Sequence, residues 1–191
     1  MLQGDLFAPA ETPLPAIPGL AFQRDFVGVD EAAALAAAID AAPLAPFKFQ
    51  GWTGKRLTAS YGSAYDFDRG QVLPAPPLPE WLVDLARRAE AVAGLPAGSI
   101  AQALLIRYDP GAALGWHRDR PQYGTVLGLS LGAEVPLRLR RRTASGFERA
   151  ALPLPSGSLY VLSGEARHGW EHSLAPVPQT RWAITFRTLA G

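Results

Sequence analysis

The chain has 191 residues, 48% of them hydrophobic, with 18 Lys and Arg against 17 Asp and Glu for a net charge of +1. That length and apolar content support one domain with a buried core, and the small net charge excludes a disordered polyelectrolyte or a globally basic nucleic-acid binder. Cysteine is absent, which removes disulfides, thiolate metal sites and Cys nucleophiles; imidazole chemistry has only His117, His168 and His172 to draw on. No run reaches the ~20 apolar residues of a membrane span and no basic-then-apolar leader opens the chain, so the expected compartment is the cytoplasm.

Residues 1–20, broken by Pro9, Pro13, Pro15 and Pro18, read as a flexible tail ahead of a single domain over 21–191. Asp30 is placed to cap a helix through residues 31–40, with Leu35 and Ile39 on its apolar stripe. Residues 47–67 mix aromatics, Gly and Thr and read as short strands with a hairpin. A stiff Pro-rich connector (73–79) leads into a second amphipathic helix, with Trp81, Leu82, Leu85 and Ala89 on one side. From Gln102 onward, short apolar or alternating runs are separated by Gly and Pro turns, the pattern of a sandwich, jelly roll or barrel. The fold class is therefore α+β, with two helices in the N-terminal half and an all-β second half.

Two constellations carry chemistry. His117 and Asp119 are two apart, and on a strand i and i+2 share a face, so both reach one ion while Arg118 and Arg120 point away. His172 lies 53 residues beyond Asp119 and supplies a second imidazole. Two imidazoles and one carboxylate suit a facial Fe(II) site with open positions, although an HxD pair also occurs on ordinary surface strands. The second constellation is RWAITFR (181–187). Arg181, Ala183, Thr185 and Arg187 share one strand face, while Trp182, Ile184 and Phe186 share the other and pack on the helices. Guanidinium pairs bidentately with carboxylate. Since the strand spans ~20 Å between the two arginines, Arg181 is the better direct carboxylate clamp.

Taken in order, HRD (117–119), RHGWEHS (167–173) and RWAITFR (181–187) resemble the AlkB-like branch of the Fe(II)/2-oxoglutarate dioxygenases, as do RYDPGA (107–112) and GSLYVLSGEARH (157–168). The resemblance covers roughly residues 45–188. It implies a double-stranded β-helix (jelly roll) with the core over about 100–189, the two helices packed on one sheet, and a nucleotide-recognition lid over about 45–70. It implies His117, Asp119 and His172 as iron ligands, with His172 preferred over His168 because Ser-Leu follows it. Arg181 would bind the distal carboxylate of 2-oxoglutarate with help from Tyr108, and Arg187 would sit near the metal end of that cosubstrate. The implied reaction consumes O2 and 2-oxoglutarate, yields succinate and CO2, and hydroxylates a C–H; a hydroxylated N-methyl group then leaves as formaldehyde.

Substrate contact is expected from the lid aromatics Tyr61 and Tyr65, with Phe67, and from Trp116, Arg118 and Arg120 beside the HxD pair. Lys55 and Arg56 are candidates for phosphates, and the same aromatics also suit the core of a small sheet. The chain departs from the family in three places: Arg120-Pro121-Gln122 holds no acid after HxD, and Ile106 and Ala183 replace Asn. These departures bear on the substrate and on cosubstrate trim. RLRRR (138–142) reads either as a phosphate track or as a solvated strand face paired with Glu134 and Glu148. In the tail, Gln3–Phe7 (QGDLF) resembles the short Gln-x-x-Leu-Phe peptide that binds the bacterial sliding clamp, though five residues also match by coincidence. The expected protein is a monomeric Fe(II)/2-oxoglutarate-dependent dioxygenase acting on N-alkylated bases of single-stranded DNA or RNA. Alternatives are the same chemistry on a protein side chain or small molecule, and a non-catalytic jelly-roll binding module in DNA maintenance.

Overall fold

The computed structural model describes residues 14–49 and 52–191, without the side chains of Lys48, Phe49 and Trp52. Gln3–Phe7 and the Trp52 ring lie outside the described residues. The first half runs through β1 (Leu20–Gln23), α1 (Val29–Asp40), β2 (Ala45–Phe49), β3 (Trp52–Tyr61), the hairpin β4 (Ser63–Asp66) and β5 (Gln71–Pro74), and α2 (Glu80–Val92). There follow β6 (Ile100–Tyr108), β7 (Leu114–His117), β8 (Tyr123–Gly132), β9 (Val135–Thr143), β10 (Gly146–Leu154) and β11 (Leu159–Leu162), then the short helix α3 (Gly164–His168), β12 (Glu171–Leu174) and β13 (Arg181–Leu189).

The strands form a seven-stranded sheet in the order β1-β11-β8-β13-β6-β3-β2 and a four-stranded sheet in the order β10-β9-β12-β7. All these pairings are antiparallel. Strand alternation sorts the side chains into two cores. Leu105, Ile184 and Phe186 point from the large sheet toward Leu35 and Ile39 of α1 and Leu82 and Leu85 of α2. Ile106, Ala183 and Leu162 point from the other face toward Leu137, Leu139 and Leu152 of the small sheet. Each such fully buried aliphatic side chain contributes about 1.5–3 kcal/mol of burial free energy. The jelly roll with both helices on one sheet agrees with the sequence reading. Among the described residues, no helix is long and apolar enough to cross a membrane.

Three local details differ from expectation. Gly28, not Asp30, is the N-cap of α1 and makes no side-chain cap; Asp30 and Glu31 sit in the first turn, where their charge complements the helix dipole. The connector 73–79 gives its first two residues to β5. Residues 14–20, read as part of the tail, lie on the body: Ile17 is buried in the inter-sheet core, and Ala166 N–H donates to Pro18 O at 2.9 Å. Gly19 has φ +84, and a Cβ there would lie 2.0 Å from Ser163 O, so this close approach requires glycine.

Glycine also makes room for an aromatic ring. Tyr160 on β11 is paired with Gly128 on β8, and its ring lies over the bare Cα. A Cβ at Gly128 would meet ring atoms at 2.2–2.5 Å. Gly128→Ala is therefore expected to displace Tyr160 and destabilise the fold by about 1–3 kcal/mol, an overpacking cost. Urea denaturation measures it, and an unchanged midpoint contradicts the packing argument.

Candidate metal centre and its two pockets

The small sheet brings the imidazoles together. β12 runs antiparallel to β7 with His172 directly opposite His117, and the ring centroids are 4.3 Å apart. His117 Nδ1 lies 2.9 Å from Gly115 O, which leaves Nε2 for a ligand. β7 ends at His117, so Asp119 reaches the site from the following turn rather than from the strand. One ligand atom from each of His117, Asp119 and His172 lies within 4.8 Å of the others. His168 is exposed at the end of α3 and is outside this cluster; its carbonyl accepts from Arg118 Nη1 at 3.0 Å.

The Asp119 turn is held by a residue that the sequence reading quoted without a role. Arg167 on α3 is 3% exposed and donates to three carbonyls: Gly124 O at 2.9 Å, and Arg120 O and Tyr123 O at 2.8 Å each. A buried guanidinium satisfied by main-chain oxygens is a structural staple. Its only sequence signal was a charge next to an apolar run.

Arg187 binds Asp119. Its Nε donates to Oδ1 at 2.7 Å, its Nη2 lies 2.6 Å from the same oxygen, and its Nη1 donates to Gln102 Oε1 at 2.6 Å. Asp119 Oδ2 is buried, has no hydrogen-bond partner among the described residues, and lies 3.6 Å from His172 Nε2. Burial opposes ionisation of this carboxyl, but Arg187 foremost and then the two histidines hold it well below the usual carboxylate range. Burial lowers the pKa of His117, and burial together with the neighbouring His117 pushes His172 down to about 3. The set is therefore one anion and two neutral imidazoles, the protonation states that a divalent metal requires. These donors fit Fe(II), with softness and count matching a two-His, one-carboxylate site.

Two pockets meet at this cluster. The inner one, of about 50 Å³, runs between the sheets to Arg181, Tyr108 and Tyr160. Arg181 is 2% exposed and sits across from Tyr108 on β6, its guanidinium 5.3 Å from the ring centroid. Nη2 donates to Ser130 Oγ at 3.1 Å, while Nε and Nη1 are buried without a hydrogen-bond partner among the described residues. A buried guanidinium with two free N–H edges calls for an anion such as a carboxylate. Ile106 and Ala183 line this pocket and add only apolar surface.

The outer cleft, of about 590 Å³, opens on the other side of His117 and Asp119. Tyr65, Phe67, Trp116, Arg118 and Arg120, the candidate substrate contacts, line it. The Arg120 guanidinium lies about 5 Å from both the Tyr65 and Phe67 rings, at 5.1 and 5.0 Å. Tyr61 is not there. Ala59 and Tyr61 fall on the helix side of β3 and pack in the helix-facing core, whereas Thr58 and Ser60 face the cleft. Arg56 shares the cleft face and lies between the pockets, stacked 3.9 Å from the Phe47 ring centroid. It is a pocket residue rather than a free phosphate contact, while Lys55 is exposed.

Removing Asp119 strands Arg187, whose side chain is 13% exposed. Asp119→Ala is expected to cost about 3–5 kcal/mol, as for a broken buried ion pair. Asp119→Ala with Arg187→Leu is expected to recover part of that stability, and both variants to lose Co(II) binding in a spectroscopic titration. A stable single variant contradicts the bridge. A second expectation concerns pH. Unfolded histidine protonates near ~6.5, so between that pH and about 3 the folded chain binds fewer protons than the unfolded one. Metal-free stability is then full above pH ~6.5 and falls as the pH drops through that window. Urea midpoints for wild type and His172→Asn across the window check this; equal slopes contradict it.

Comparison with known proteins agrees with this geometry. The profile of the 2OG-Fe(II) oxygenase superfamily matches residues 45–187. The chain is 29% identical over 183 residues to tRNA (carboxymethyluridine(34)-5-O)-methyltransferase alkbh8 of Xenopus tropicalis, covering 91% of this chain and 28% of that protein. It is 27% identical over 150 residues to alpha-ketoglutarate-dependent dioxygenase alkB homolog 3 of Mus musculus, covering 70% and 51%. The chain thus spans between about a quarter and a half of the length of these curated relatives. The solved structure of OsALKBH1 superposes with a TM-score of 0.72 at 16% identity, over 92% of this chain and 100% of that one, which shows a shared fold. With a family match over most of its length and an HxD…H cluster at the junction of two pockets, the chain belongs to the 2OG-Fe(II) oxygenase superfamily and is an AlkB-like, Fe(II)- and 2-oxoglutarate-dependent dioxygenase.

Proposed function

We propose that this dioxygenase demethylates N-alkylated bases in single-stranded nucleic acid. The observation that carries the reading is the outer cleft: aromatic rings and guanidinium groups line one cavity that ends at the metal cluster. Flat rings stack on a splayed base and arginines meet its phosphates. Among the described residues, Arg56, Arg118, Arg120 and Arg187 face a single carboxylate there, Asp119, which Arg187 already pairs. The names of two relatives also concern nucleic acid, one a tRNA methyltransferase and one an alkylated DNA repair protein homolog of Arabidopsis thaliana.

The residue roles follow from position. His117, Asp119 and His172 would hold Fe(II), the imidazoles through neutral ring nitrogens and Asp119 through Oδ2. Arg187 holds Oδ1 of the Asp119 carboxylate, which leaves Oδ2 as the atom that would hold the ion. Arg181 would take the far carboxylate of 2-oxoglutarate on Nε and Nη1, with the Tyr108 phenol beside it. The apolar lining from Ile106 and Ala183 excludes water from the cosubstrate stem. When bound, Fe(II) supplies oxygen activation coupled to oxidative decarboxylation of 2-oxoglutarate. Tyr65, Phe67 and Trp116 would position the methylated base, and Arg118 and Arg120 the strand. An acid after HxD is not needed for this stacking mode.

Formaldehyde release tests the reading, with Fe(II), 2-oxoglutarate and oligonucleotides carrying 1-methyladenine or 3-methylcytosine. Release is expected from single strands, less from duplexes, and none from Asp119→Ala. Succinate without formaldehyde on every oligonucleotide would move the substrate to a protein side chain or small molecule. Neither product would leave a binding module.

A further inference from the structure

We propose that the outward face of the small sheet is a track for the phosphodiester backbone of the strand whose base enters the outer cleft. This rests on the nucleic-acid reading above and extends it beyond the cleft. Leu137, Leu139 and His172 point inward, so Arg138, Arg140 and Arg142 of β9 and Glu171 and Ser173 of β12 point outward. On β10, Arg149 lies opposite Arg140 and Phe147 opposite Arg142. Alternate residues of a strand are about 6.7 Å apart, so β9 presents a row of evenly spaced guanidinium groups.

The row is stacked rather than loose. Arg140 lies between two rings, 4.4 Å from the Trp116 centroid and 4.5 Å from that of Phe147. Arg138 stacks on Trp116 at 5.2 Å, and Arg142 and Arg149 on Phe147 at 5.6 and 5.5 Å. Arg138 Nε also donates to Ser173 Oγ at 3.1 Å and Arg149 Nη1 to Phe147 O at 3.4 Å, so stacking and one hydrogen bond order these groups while their remaining N–H edges can meet phosphate oxygens.

Among the described residues this charge is neutralised only in part. Glu148, one of the two acids expected to pair with this run, does so through Arg141 at 2.6 Å, and Glu165 binds the same arginine, whose side chain lies on the other face of β9 from Arg138, Arg140 and Arg142. Glu171 meets Arg140 at 2.6 Å. Among the described residues, Arg138, Arg142 and Arg149 pair with no carboxylate, and Arg142 and Arg149 are exposed. Four guanidinium groups therefore stand against one acid. The face is continuous with the cleft, because Trp116 belongs to both. A polyanion leaving the cleft meets this surface without a break.

The test uses the full chain with Fe(II) and 2-oxoglutarate, without oxygen for binding and with it for turnover. Anisotropy of a labelled fifteen-nucleotide single strand with a central 3-methylcytosine is followed against salt. Losing two phosphate contacts through Arg142→Gln with Arg149→Gln is expected to reduce the log–log salt slope by about 1.4, at ~0.7 per contact. The long-strand KM is expected to rise severalfold while turnover of a methylated trinucleotide stays unchanged. Arg24→Gln with Arg87→Gln removes equal charge from the β1 edge and from α2, and is expected to keep the wild-type slope. If the face variant keeps slope and KM while the trinucleotide is turned over, the track is wrong and the cleft reading survives. If the wild type neither binds nor turns over any oligonucleotide, both fall. Displacement of the long strand by poly-glutamate as readily as by unmodified DNA would overturn the track in favour of an acidic protein partner.

Discussion

The site depends on one buried ion pair. Arg187 belongs to the large sheet and Asp119 to the turn after a strand of the small sheet, so their contact joins the two layers where the metal ligands meet. Desolvating two charges is costly, and the cost is offset only with good geometry and satisfied neighbours. Gln102 supplies the neighbour, and the free Oδ2 supplies the function. The resemblance placed Arg187 at the metal end of the cosubstrate. In the structure it pairs with Asp119 and lines both pockets.

Around that pair the chain separates two tasks by strand face and depth. Arg181 and Arg187 share one face of β13, yet one points into the inner pocket and the other holds the ligand at its mouth. The inner pocket has polar groups at two ends, Arg181 with its phenolic neighbours at one and the His117, Asp119 and His172 cluster with Arg187 at the other, and aliphatic side chains between them. The outer cleft carries aromatic rings and several guanidinium groups among polar and aliphatic side chains. Ile106 and Ala183, where the family has Asn, add no polar group to the inner pocket, and the missing acid after HxD leaves the cleft with more cations than anions.

Much of this was legible in the sequence, because alternation states which residues share a face. The division of RWAITFR into two sets followed from period two alone, and so did the shared face of Arg138, Arg140 and Arg142. What alternation does not state is which face looks at which neighbour. Tyr61 and Arg56 illustrate this: both lie on β3, but register with β6 turns Tyr61 to the helices and Arg56 to the pocket. Glu148 offers a similar case, since choosing between neighbouring arginines requires the position of Glu165 on a distant helix. Residues 14–20 looked like tail because proline suppresses regular elements, not because it prevents packing. Arg167 carried only a charge beside an apolar run as a signal, because its three acceptors lie more than forty residues upstream in the chain.

The Arg167 staple has a thermodynamic consequence. One side chain ties three main-chain carbonyls, those of Arg120 in the turn beyond Asp119 and of Tyr123 and Gly124 at the start of β8, to α3, so the conformational entropy of that segment is lost as α3 docks in folding. An ion that binds only the folded chain adds to this by mass action, with a stabilisation that grows as the logarithm of its free concentration.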